Sequence, residues 1–137
     1  MDKRTLLGCI AALALLLAFE LMVRLSGHAL DLPLRTPLGE LPVAGLFITC
    51  AAMALGGWIA REGFRVPAIV LAVVIAVATT ASLQLSGALS PDGPPFALGD
   101  ILRYGGLAML AQVLMAWLGA VLGERLATRR TGPLEAR

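Results

Sequence analysis

In a chain that is 58% apolar and only 15% charged, the side chains able to do chemistry are the polar ones embedded in apolar runs. They are Glu20, Arg24, Gln84, Arg103 and Gln112. Ionisable groups are expensive in hydrocarbon, so each marks an ion path, a proton relay or a paired structural contact. Glu20 is the one carboxylate inside such a run and could hold a cation or a proton. Arg24 follows it at i+4 in the favourable acid-then-base order, and its long stem can reach the surface. Arg24 or Arg103 would then neutralise Glu20, and Gln84 would hydrogen-bond across helices and fix their register.

Covalent or metal chemistry needs convergent groups at one depth. The single histidine, His28, precedes Asp31 by three residues, a spacing that reads as a surface hydrogen bond. Cys9 and Cys50 stand far apart in separate apolar runs, without disulfide-framework or zinc-ligand spacing, and read as small hydrophobes. No catalytic residue, metal site or cofactor is therefore expected. Nucleic-acid binding is set aside as well, because aromatics make up 5% of the chain and the basic residues form no stripe.

The elements that must carry these residues follow from length and apolarity. A span of bilayer hydrocarbon needs about 20 predominantly apolar residues. Four runs meet that need, at about 6–23, 41–60, 66–85 and 101–122, in a chain of mean hydropathy +0.86. Pro42 and Pro67 fall in first turns, where a missing N–H costs nothing, and Asp100 suits an N-cap. The REGFR connection at 61–65 is short enough to force an antiparallel pair. Lys3 and Arg4 before the first run imitate a leader peptide, but no clear A-x-A site follows, so this run is expected to stay in the mature protein. The expected fold is all-α: one four-helix transmembrane domain over 1–126, built of two antiparallel helical hairpins, with a short basic tail at 127–137.

Lysine and arginine asymmetry sets orientation. Eight of the eleven belong to the side that holds the N-terminus, the 61–65 loop and the tail. Both termini are thus expected in the cytoplasm, in the inner membrane. Trp58 and Trp117 are expected near that same interface. Of the two longer outer loops, the one containing Pro91, Pro94 and Pro95 is barred from regular helix.

Small residues carry a second pattern. Gly119 and Gly123 form a G-x-x-x-G in the fourth run, and Gly56 and Gly57 lie at comparable depth in the second. Such glycines let helix backbones approach closely. With no catalytic constellation, the expected role is an accessory or structural subunit that packs against a larger membrane complex or a second copy. The alternative is a transport or channel protomer with an outward-facing polar vestibule around Glu20. In having four helices and a glutamate in the first, the chain resembles small multidrug-type exporters, a likeness confined to that layout. The strong charge bias departs from a dual-topology arrangement.

Overall fold

The computed structural model describes residues 2–26, 33–36, 39–88 and 98–131. Helix α1 spans Lys3–Leu25, α2 Val43–Ala60, α3 Arg65–Ala88 and α4 Leu98–Thr131. Each contains a stretch long and apolar enough to cross a membrane. The helix is the natural form for such runs, because it satisfies every backbone polar group within one segment. The His28–Asp31 pair and the prolines at 91, 94 and 95 lie outside the described residues.

Helices α1, α3 and α4 extend beyond the expected spans at both ends. Helix α2 starts at Val43, because Leu41 and Pro42 belong to a strand. Strands β1 (Pro33–Thr36) and β2 (Gly39–Pro42) pair antiparallel between α1 and α2, Leu34 opposite Leu41 and Arg35 opposite Glu40. Pro33 and Pro42 face each other at the open end of the ladder, where a missing donor does least harm. A lone hairpin is marginal in water, and here β2 also packs against α4. Helix α4 begins at Leu98, which puts Asp100 inside its first turn, where an acid suits the helix dipole. Its other end runs on to Thr131, so residues 127–131 of the expected tail are helical.

The most extensive helix contact is between α2 and α4. Gly119 sits against the Cys50 carbonyl, Gly123 against the Ala54 carbonyl, and Gly57 against Ala120 and Glu124. The partner numbers rise together, so these two helices run in the same direction. A Cβ on Gly57 would stand 2.7 Å from the Ala120 oxygen, closer than real side chains come. Gly8, early on α1, crosses Gly56, late on α2, and the Phe64 ring fills the notch beside both.

The core is correspondingly small-sided. Ala12, Ala52, Ala68, Ala116 and Ala120 are buried, and Phe64 and Met53 are the largest side chains fully enclosed. Large apolar groups point the other way: Leu17, Leu21, Val77 and Leu110 are each about 60% exposed or more. Water would favour the reverse distribution, with large aliphatics inside. Trp58 lies level with Gly123. Trp117 lies six residues earlier than Gly123 on α4, about 9 Å away along the helix at helical rise.

These contacts rank the glycines. Gly123→Ala would drive a methyl into the α2 backbone, which cannot swing aside, and should lose about 1–3 kcal/mol. Gly105→Ala meets open space and should be neutral or gain up to about 1 kcal/mol from helix propensity. Unfolding of the two purified variants by SDS titration reads the difference. Equal stabilities would overturn the packing scheme.

Candidate functional site

Helices α3 and α4 touch far less than α2 and α4 do, and between them lies an open groove of about 880 Å³. Its α3 wall is Val73, Ala76, Val77, Thr80, Ala81 and Gln84, a run at three- and four-residue spacing and so one helix face. The α4 wall is Gly106, Leu107, Met109, Leu110 and Val113. Gly106 has nothing within 4 Å of the position a Cβ would take, so its lack of a side chain widens the slot.

Thr80 and Gln84 are the polar side chains of that lining. Thr80 Oγ1 donates to the Ala76 carbonyl at 2.9 Å, which satisfies its proton within α3. The groove therefore presents an apolar surface of small and branched groups with one amide, that of Gln84. It can hold hydrocarbon or the side of another helix, and none of its described lining residues is ionisable.

The other sequence candidates fall elsewhere. Arg24 Nε donates to Glu20 Oε1 at 3.0 Å along α1, and both side chains are more than half exposed. Glu20 is not among the described groove-lining residues, and its ion pair is with Arg24. Gln112 is half-buried on α4. The backbone of Arg103 belongs to α4, and its side chain lies outside the described residues. Thr49 is buried and donates to the Gly45 carbonyl. Gly57, Gly119 and Gly123 meet in the α2–α4 contact, while Gly56 serves α1 and Phe64.

The opposite end of the bundle holds a group that sequence reasoning passed over. Glu124 is 7% exposed on α4 and closes on the α2–α3 turn. Its Oε1 accepts the Phe64 backbone N–H at 2.8 Å, and its Oε2 accepts Arg65 Nε at 2.7 Å. Phe64 directly precedes α3, and its own carbonyl accepts the first helical bond, from Ala68. Glu124 thus caps α3 from another helix, taking a donor the helix start leaves orphaned and placing negative charge at the positive end of its dipole. The turn itself is tight. Arg61 has φ 69° and ψ −47°, and Gly63 has φ 73°. For glycine that conformation is ordinary, whereas for arginine it stores about 1–3 kcal/mol of strain. The signal for this site was present as a lone acid in a basic stretch, GERLATRR, and an aromatic in a short polar loop, REGFR.

Compared with family models, curated proteins and solved structures, the chain finds no match.

The capping role separates two substitutions. Glu124→Ala orphans the buried Phe64 N–H and should lose about 1–3 kcal/mol. Glu124→Gln keeps an acceptor there and gives up the charge at the α3 dipole and the pairing with half-exposed Arg65, so its loss should be the smaller, about 1 kcal/mol. Thermal unfolding in one detergent tests the order. A Gln variant as weak as the Ala variant would show that charge, not the N–H acceptor, governs.

Proposed function

We propose that this chain is a small multi-pass protein of the inner membrane, a non-catalytic accessory subunit whose α3–α4 groove receives a helix of another membrane protein. The groove carries the proposal: α3 and α4 leave a gap beside the close α2–α4 and α1–α2 contacts, and its walls are the small and branched residues that helix contacts in lipid use. Gln84 supplies an amide that can bond across such a contact.

The membrane setting is supported by the inverted distribution of side chains. Lipid exerts no hydrophobic drive between helices, so association rests on close backbone packing, and large aliphatics are free to face the acyl chains. On this reading α1 with α2 and α3 with α4 form two antiparallel helical hairpins. The α2–α3 turn and both termini lie on the cytoplasmic side, as the arginine and lysine asymmetry favours. The β-hairpin then sits on the outer side, against the start of α4. The transport alternative gains no comparable support: Glu20 is exposed on α1 and paired with Arg24.

Gly106→Leu tests the groove without touching the core, because the added side chain enters open space. The variant should fold and insert like the parent yet lose a stoichiometric membrane partner in mild-detergent purification. Ala76→Leu, on the facing wall, should do the same. A parent chain that purifies alone, or a Gly106→Leu chain that keeps its partner, would sink the assignment. For orientation, a C-terminal reporter should be active only when read from the cytoplasm.

A further inference from the structure

The turn end carries a second concavity, of about 440 Å³, within the range of small-ligand sites. Arg61, Arg65 and Arg125 line it, together with Glu62, Glu124 and Val66. Each arginine arrives from a different element: the end of α2, the start of α3 and the late part of α4. Glu124 fixes Arg65 through Nε, one of the five N–H donors a guanidinium carries. Among the described residues no acid pairs with Arg61 or Arg125. The described side chains around this end add Lys3, Arg4 and Arg129 to the three arginines, against Asp2, Glu62 and Glu124.

Arg61 is the informative member. Helices commonly end on glycine where φ turns positive, and this one ends on arginine. A non-glycine residue held there points to a use for its side chain. Forked guanidinium groups match phosphate oxygens in geometry and charge. Val66, in the lining, and Val70, one turn further along α3, are exposed and offer an apolar track for hydrocarbon.

We propose that this pocket binds the phosphodiester headgroup of an anionic phospholipid, with Arg61 and Arg125 as its ligands and Arg65 as a positioned third cation. The proposal rests on the membrane-spanning reading, under which the pocket lies where the α2 span ends and the α3 span begins. Basic pockets between transmembrane helices on the cytoplasmic side recognise such headgroups. Glu62, also in the lining, opposes binding and sets its strength.

The test reconstitutes the full chain in phosphatidylcholine vesicles containing a trace of spin-labelled phosphatidylglycerol or spin-labelled phosphatidylcholine. The protein-immobilised fraction of each label gives their relative association. Phosphatidylglycerol should be preferred, and Arg61→Gly or Arg125→Gln should each lower the preference about five-fold, the share of one surface cation. Glu62→Gln should raise it. Arg61→Gly also relieves the backbone, so its thermal stability should equal or exceed the parent's while lipid preference falls. Inorganic phosphate, at ionic strength matched with chloride, should leave the preference intact; its loss would assign a free-anion site and overturn the lipid. An immobilised phosphatidylcholine fraction without preference defeats this proposal alone. Absence of any immobilised fraction defeats the membrane reading with it.

Discussion

The α2–α4 contact is the constraint on which the rest of the bundle depends. Gly57, Gly119 and Gly123 let two backbones meet at distances no side chain would permit. This closeness supplies dispersion contacts between main chains. It also explains the alanine-rich interior. Once two axes lie this close, neighbouring helices can approach only on small residues, and the large aliphatics must turn outward.

Glu124 extends that contact to a third helix. It stands one residue beyond Gly123, so the approach that seats the glycine also delivers the carboxylate to the Phe64 N–H and the Arg65 side chain. The α2–α3 turn is then held from α4, and Phe64 beside Gly8 and Gly56 ties in α1. One end of the molecule is thereby locked by a connected set of contacts. The strained backbone of Arg61 persists because the structure on either side of it is fixed.

The other half of the bundle has no equivalent lock. Helix α3 meets α4 only weakly, and Thr80, Ala81 and Gln84 line a gap in place of a contact. Gly105 and Gly106 on α4 resemble the packing glycines by type, yet a side chain on either would enter open space. Identical residues therefore play opposite parts at the two ends, closing one interface and leaving another open.

The four helices and their apolar character were legible in the sequence, because span length and backbone hydrogen bonding are local properties. Gly119 and Gly123 were legible as contact residues from their spacing, though not the helix they would meet. The connection between α1 and α2 held a missed cue: Pro37 and Gly39, turn-forming residue types, stand at the junction of the segments that form β1 and β2. Glu20 drew attention because it lies within an apolar run, while Glu124 did not because it borders a basic one. Burial follows from which neighbour faces a side chain, and Phe64 and Glu124 are sixty positions apart. Thus the chain itself determined its segments and their apolar character. Tertiary structure alone decided that the exposed carboxylate is Glu20, the enclosed one Glu124, and the open face the α3–α4 groove, since each depends on helix rotation and approach that no single segment encodes.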